Sequence, residues 1–219
     1  MQRARRQRWL HLVVANLRIL IGFAFLPAGL KKVLAQPFTD AANVGPFHDF
    51  LRAFHATGEF YQFVGVVQLV AAALLMTQRF ATVGALIFAP ILTALVVFCW
   101  STAVYPTAVV VTLMWLGIVA LLLWDVQKWQ RVFGPEHDDT AVRLAEPPPP
   151  IQLGLWRGCG VTIVVLYLLV CAWAGGVYRP RGIELGDPRF YLLPAIASLP
   201  LITLALDIRM HRRSLGRRR

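Results

Sequence analysis

The sequence predicts an all-α membrane protein, a four-helix transmembrane bundle followed by two additional C-terminal transmembrane helices. Of its 219 residues, 58% are hydrophobic and only 15% are charged, a balance that is typical of polytopic membrane proteins rather than soluble domains. Apolar runs of the length that a spanning helix needs, about 17–25 residues, recur along the chain. These runs are Leu12–Leu34, Phe60–Met76, Phe80–Cys99, Thr107–Trp124, Gly160–Tyr178 and Phe190–Leu206.

The placement of basic residues predicts the topology. The chain has 22 lysines and arginines against 11 aspartates and glutamates, a formal net charge of +11. Most of these cations fall before the first span, after the fourth and in the C-terminal tail, which share one side when the spans alternate. The positive-inside rule then predicts that both termini are cytoplasmic. We predict a multi-pass membrane protein that contacts membrane lipid and binds no nucleic acid.

The first span carries two candidate polar residues within the run LRILIGFAFLPAGLKK. Residues three and four apart share a helix face, and small residues on such a face let a second helix approach closely. A cation inside a span usually faces the interior of the bundle. We therefore predict that Arg18 and Lys32 contact a ligand or another helix. The shared face consists of Ala15, Arg18, Gly22, Phe25, Gly29 and Lys32.

The connection between the first two spans, residues 35–59, has the pattern of an amphipathic helix. We expect this helix to lie on the outer membrane surface or to cap the bundle. His48 and His55 are seven positions apart without a third ligand, so no metal site is predicted. The apolar face holds Phe47, Phe50, Leu51 and Phe54, and the polar face holds His48, Asp49, Arg52 and His55.

The second span adds a carboxylate and an amide to the candidate polar residues. Glu59 stands where this span begins, and the helix dipole favours a negative charge there. Gln68 lies deeper, and a buried amide in a membrane usually forms an interhelical hydrogen bond. The tight turn at 77–79 makes the second and third spans antiparallel neighbours, and Pro106 suits the first turn of the fourth.

The chain becomes polar after the fourth span. Residues 125–158 include an acidic cluster and four consecutive prolines, which are typical of a semi-rigid extended spacer. We therefore predict a four-span bundle at 1–130, a cytoplasmic acidic and proline-rich linker at 131–150, and a two-span segment with a basic tail at 151–219.

The sixth predicted span leads into the basic tail. Asp207 lies near Arg209 and Arg213 in the sequence. We predict that these residues form a local pair on the surface.

The four-span part resembles the DoxX family of bacterial membrane proteins, over about residues 11–125. The resemblance rests on the first span, with its early Arg18 and its AGLKK ending, and on VGVVQLVAAALLMTQRFATVGALIFAPI at 64–91. It implies a four-helix bundle in the bacterial cytoplasmic (inner) membrane. Some relatives are subunits of quinone-linked sulfur oxidation or of assemblies that handle oxidative stress. Many members have a glutamate in the middle of the second span, where this chain has Gln68, a neutral amide that cannot titrate.

Three functions fit these features. The first is a non-catalytic or accessory subunit of a membrane assembly, with a protein partner or a second copy of the chain, in which Arg18 contacts backbone carbonyls or Gln68. The alternative is a quinone-binding subunit of an oxidoreductase complex, because an arginine can donate to a quinone carbonyl. A small-solute transporter ranks last, since no inverted repeat is evident. No catalytic residue is predicted, and no haem, because no span carries a central histidine.

Overall fold

The computed structural model describes residues 7–126, 151–178 and 186–216. Regular structure within these ranges is helical, which confirms the predicted all-α class. A 3-10 helix at Pro188–Tyr191 leads into the last α-helix. The α-helices of the described ranges are α1 (Arg8–Val33), α2 (Pro46–Ala56), α3 (Glu59–Met76), α4 (Ala81–Ser101), α5 (Tyr105–Trp124), α6 (Leu153–Trp173) and α7 (Leu192–Gly216).

Six of the described helical stretches are long and apolar enough to cross a membrane, which confirms the predicted pattern of four spans followed by two. They are α1, α3, α4, α5, α6 and the stretch Pro188–Arg212. The fifth span lies earlier in the sequence than predicted, from Leu153 rather than Gly160. Arg157, the fifth residue of this helix, is exposed at the surface, so its charge is compatible with a helix that begins before it. Gly175, with a φ of 69°, follows its C-terminal end, as is common for glycines after helices.

Helix α1 lies at the centre of the packing. It runs along α3 and also contacts α5, α6 and α7, while α4 packs between α3 and α5. The predicted face of α1 is confirmed, because all of its residues are buried. The two C-terminal spans pack on the four-span bundle, with the ring of Tyr167 in α6 centred 6.1 Å from that of Phe23 in α1. The predicted linker at 131–150 lies outside the described residues.

Helices α1 and α3 approach each other closely at Gly29 and Gly65. A Cβ atom on Gly65 would lie 2.6 Å from the Cβ of Lys32 and 2.8 Å from the carbonyl oxygen of Gly29. Contacts this short mean that a larger residue would push the helices apart. Small residues at such crossings are the usual basis of helix packing in membranes.

We expect Gly84→Ala to lower the free energy of unfolding by about 1–3 kcal/mol, as overpacking typically does. The added Cβ would lie 2.7 Å from both the carbonyl oxygen of Ala71 and the amide nitrogen of Leu75. These are backbone atoms of α3, so neither can rotate away. Unfolding of the purified variant in detergent measures the effect. Gly158→Ala in α6 is the control, because the space around it is open, and equal losses in both variants would contradict this account.

Helix α2 caps one end of the bundle with its aromatic face. The ring of Phe50 is centred 4.5 Å from that of Phe98 in α4. The ring of Phe54 is centred 5.1 Å from that of Tyr61 in α3. The predicted packing of this amphipathic helix on the bundle is therefore observed, and its placement on the membrane surface stays a prediction.

Candidate functional site

Arg18 belongs to a buried polar cluster in the bundle. It is 6% exposed, and its Nη2 donates to Oδ2 of Asp125 at 2.5 Å. Its Nη1 donates to Oε1 of Gln78 at 3.3 Å. The hydroxyl of Thr82 donates to the same oxygen of Asp125 at 3.1 Å. We refer to these four residues as the Arg18 cluster.

The members of the Arg18 cluster come from different elements around α1. Asp125 directly follows α5, and its amide still donates to the carbonyl of Leu121. Gln78 lies in the turn between α3 and α4 with a φ of 60°, a left-handed conformation that is uncommon for residues other than glycine. Its Nε2 donates to the carbonyl oxygen of Ala15 at 3.3 Å. The cluster therefore ties α1 to the α3–α4 turn, to α4 and to the end of α5.

The Arg18 cluster contains an ion pair in the interior of the protein. Breaking such a pair by removing one partner leaves an uncompensated buried charge and typically costs about 3–5 kcal/mol. Among the described residues, the buried Nε of Arg18 has no hydrogen-bond partner. The guanidinium therefore retains a donor that could bind an acceptor oxygen.

Lys32 and Gln68 form a second buried contact, farther along α1. The ammonium group of Lys32 donates to Oε1 of Gln68 at 3.0 Å. It also lies 4.3 Å from the centroid of the Phe38 ring and 6.0 Å from that of Tyr61, both within cation–π range. Gln68 thus makes the interhelical hydrogen bond predicted for a buried amide, and Lys32 faces the interior as predicted.

We expect Gln68→Leu to lower the free energy of unfolding by about 0.6–2 kcal/mol, the range of an interhelical hydrogen bond in membranes. Leucine has a similar size but cannot accept from Lys32. Gln68→Glu is the matched variant, because its carboxylate still accepts, and it should retain wild-type stability. Unfolding in one detergent compares the two variants. A loss in Gln68→Glu as large as that in Gln68→Leu would contradict the role of this hydrogen bond.

The structure joins only two of the four predicted polar residues. Lys32 contacts Gln68, whereas the predicted contact between Arg18 and Gln68 or backbone carbonyls is wrong, because Arg18 binds the side chains of Asp125 and Gln78. Arg18 and Lys32 are fourteen residues apart, roughly 21 Å along a helix, so one residue of α3 cannot reach both. Glu59 is exposed in the first turn of α3 and hydrogen-bonds none of the other three.

Asp207 ties the C-terminal helices to α1. The predicted surface position of Asp207 beside Arg209 is wrong, because Asp207 is only 1% exposed. The side chain of Arg213, the other predicted partner, lies outside the described part of the chain. Residues two apart on a helix point about 200° away from each other, so Asp207 and Arg209 face opposite directions. The Asp207 carboxylate accepts from Nη2 of Arg8 at 2.5 Å and from Nε1 of Trp156 at 2.8 Å. We refer to Arg8, Trp156 and Asp207 as the Asp207 cluster.

Sequence reasoning missed Gln78 and Asp125. The predicted topology carries a signal for both residues. It places the first half of span one, the turn at 77–79 and the end of span four towards the same side of the membrane. Asp125 is also an acidic residue directly after a long apolar run. An acid and a cation placed at the same side of adjacent spans are candidates for a pair.

Comparison with known proteins finds a distant similarity. The chain is 29% identical over 137 residues to YwoB of Bacillus subtilis (strain 168), a protein described as uncharacterized. The match takes in 58% of this chain and 86% of YwoB. No family model matches the chain, and no solved structure matches it. The part of the chain that the structure describes is helical and has six helices that could cross a membrane. The Arg18 cluster, the Lys32–Gln68 contact and the Asp207 cluster each include a residue of α1.

Proposed function

We propose that the protein is a non-catalytic integral membrane protein of the DoxX-like type that acts as an accessory subunit of a membrane assembly. The observation that carries this proposal is that its buried charged groups bind other parts of the same chain. Arg18, Lys32 and Asp207 each hydrogen-bond a side chain from another element of the fold. These side-chain contacts between elements therefore hold the helices in place relative to one another.

Helices α4 and α5 offer a surface for a partner. Both are largely uncovered by the rest of the chain, and large apolar side chains such as Val97 and Leu113 are exposed on them. Helices associate in membranes through van der Waals packing on such surfaces. The partner in this proposal is another membrane protein or a second copy of the chain. The compartment is the bacterial cytoplasmic membrane, with both termini cytoplasmic by the positive-inside rule.

The test is gentle extraction of the tagged chain from its native membranes, followed by native electrophoresis and protein mass spectrometry. We expect a discrete assembly larger than one chain, with a fixed ratio of partner to chain. Leu113→Trp on α5 should reduce the assembly by blocking close packing. Leu169→Trp, at an exposed position of α6, is the matched control and should leave it intact. A chain that is monomeric and free of partners would contradict the proposal.

A quinone-binding subunit of an oxidoreductase complex is the second candidate, and one observation favours it. The Nε–H of Arg18 is a buried donor that has no acceptor among the described residues. A quinone carbonyl is an acceptor of the required kind.

Quinone content after gentle purification from native membranes tests this candidate. About one quinone per chain in the wild type, lost in Arg18→Met/Asp125→Leu, would support it. That double variant removes the whole ion pair, a change that buried pairs often tolerate, so the loss would not reflect unfolding. Equal background quinone in both proteins would contradict it and leave the accessory-subunit proposal standing.

A further inference from the structure

Helix α2 packs on the bundle at the depth where the spanning helices end. Helices α3 and α4 have 18 and 21 residues, lengths of roughly 27 and 32 Å that are close to the hydrocarbon thickness of about 30 Å. Phe54 of α2 contacts Tyr61, two residues from the start of α3. Phe50 contacts Phe98, three residues from the end of α4. At about 1.5 Å per residue, these contacts lie roughly 3–5 Å inside the helix ends, so α2 is beside the edge of the hydrocarbon region rather than above it.

Exposed aromatic side chains mark the same level on α4 and α5. Trp100 near the end of α4 and Tyr105 at the start of α5 are both exposed, and their ring centroids are 6.1 Å apart. Tryptophan and tyrosine are enriched where spanning helices cross the membrane–water interface. Because α2 contacts α4 at Phe98, only two residues before Trp100, it lies at the level of this aromatic pair.

The apolar edge of α2 continues the exposed face of α3. Large apolar side chains are exposed at helical spacing along α3, at Phe60, Phe63, Val66 and Val70. The ring of Phe60 is centred 6.0 Å from that of Phe54 in α2, which stacks on Phe50 at the same distance. Phe50 is itself half exposed. The face with which α3 would contact lipid therefore leads without a break to the exposed side of Phe50.

The other side of α2 is polar. Residues two apart on a helix point about 200° away from each other, so Arg52 faces away from Phe50. Arg52 forms an ion pair with Asp49, and its Nη1 donates to the carbonyl oxygen of Asn43 at 2.6 Å. None of the residues of α2 is fully buried. A short helix with an aromatic edge and a charged edge at this depth has the properties of a helix that lies in the plane of the membrane interface.

We propose that α2 binds the lipid interface of the bilayer, with Phe50 and Ala53 towards lipid and Arg52 towards water. The aromatic row then has two partners, because Phe54 and one side of Phe50 pack on the bundle while the other side of Phe50 packs on lipid. Continuity with the exposed face of α3 favours lipid over a protein as the occupant of this edge. The inference does not rest on the accessory-subunit proposal, which concerns α4 and α5.

Site-specific photocrosslinking of the full chain tests this surface. The photoreactive amino acid p-benzoylphenylalanine, which reacts with C–H bonds and not with water, replaces Phe50, Arg52 or Phe63 singly. Each protein is irradiated in lipid nanodiscs, and intact-mass spectrometry counts the lipid adducts. We expect as much lipid adduct at Phe50 as at Phe63, the control on α3, and the loss of most of it at Arg52. Adducts at Phe63 without adducts at Phe50, or equal adducts at Phe50 and Arg52, would overturn the proposal.

A second position and a second membrane complete the test. If replacement of Phe50 prevents folding, Ala53 takes its place, because it is exposed and, three residues further on, shares the same face. It should give lipid adducts as Phe63 does, and their absence would equally overturn the proposal. Irradiation in native membranes then identifies the neighbour of this edge. Lipid adducts alone support the proposal, whereas a covalent adduct with a second copy of the chain or with another protein would overturn it.

Discussion

Asp125→Ala should lower the free energy of unfolding by about 3–5 kcal/mol, the usual effect of breaking a buried ion pair. Arg18 would stay charged in the interior without the carboxylate that now lies 2.5 Å from its Nη2. Arg18→Ala should lose a similar amount, because it leaves the carboxylate of Asp125 buried without that cation. Denaturant unfolding in one detergent, followed by far-ultraviolet circular dichroism, measures both variants.

The double variant Arg18→Met/Asp125→Leu separates the effect of charge from that of packing. Replacing a whole buried pair by apolar residues of similar volume is often neutral or stabilising, so this variant should unfold close to the wild type. Thr82→Val removes only one hydrogen bond to Asp125 and should cost about 1 kcal/mol. If Asp125→Ala and Arg18→Ala each lowered the free energy of unfolding by less than about 1 kcal/mol, the effect would be typical of a solvated surface pair. That result would contradict a buried cluster.

The spanning helices could be predicted because hydrophobic length is a local property of the sequence. The second and fourth predicted spans, Phe60–Met76 and Thr107–Trp124, differ from α3 and α5 by only one or two residues at one end. The fifth predicted span begins at Gly160 rather than Leu153, because Arg157 interrupts the apolar run. An exposed arginine near the start of a helix is compatible with spanning, since its long side chain can reach the membrane surface. Hydropathy alone does not distinguish that position from a loop.

The faces of the helices could also be predicted, but their partners could not. The period of the helix places Arg18 on the buried face of α1, whereas Asp125 is 107 residues away in the sequence. Lys32 and Gln68 were both identified from the sequence, yet their contact depends on the register between α1 and α3. The partners of Asp207 could not be predicted either, because Arg8 and Trp156 are 199 and 51 residues away in the sequence. A tertiary contact of this kind carries no signal in local spacing.

Asp207→Ala should release the C-terminal helices from α1 and cost about 3 kcal/mol. The expected loss lies at the lower end for a broken buried pair, because the side chain of Arg8 is 21% exposed and can be partly hydrated. The larger part comes from Trp156, which is fully buried and would keep an indole N–H without its acceptor. Hydrogen exchange measured by mass spectrometry should show faster exchange in α6 and α7, with little change in α3, α4 and α5.

Asp207→Asn is the matched variant for this prediction. Its amide oxygen can still accept from Nε1 of Trp156, while the charge that attracts Arg8 is lost. Hydrogen exchange in α6 and α7 of this variant should therefore be faster than in the wild type and slower than in Asp207→Ala. Faster exchange throughout α3, α4 and α5 in Asp207→Ala would contradict a local tie, because it would mean that the two parts unfold as one unit. Unchanged exchange in α6 and α7 would instead show that apolar packing alone holds them. A Cβ on Gly160 would lie 2.7 Å from the carbonyl oxygen of Met76, so α6 packs closely against α3. This packing sets the position of α6 and α7. The Asp207 cluster should then govern how often these two helices open.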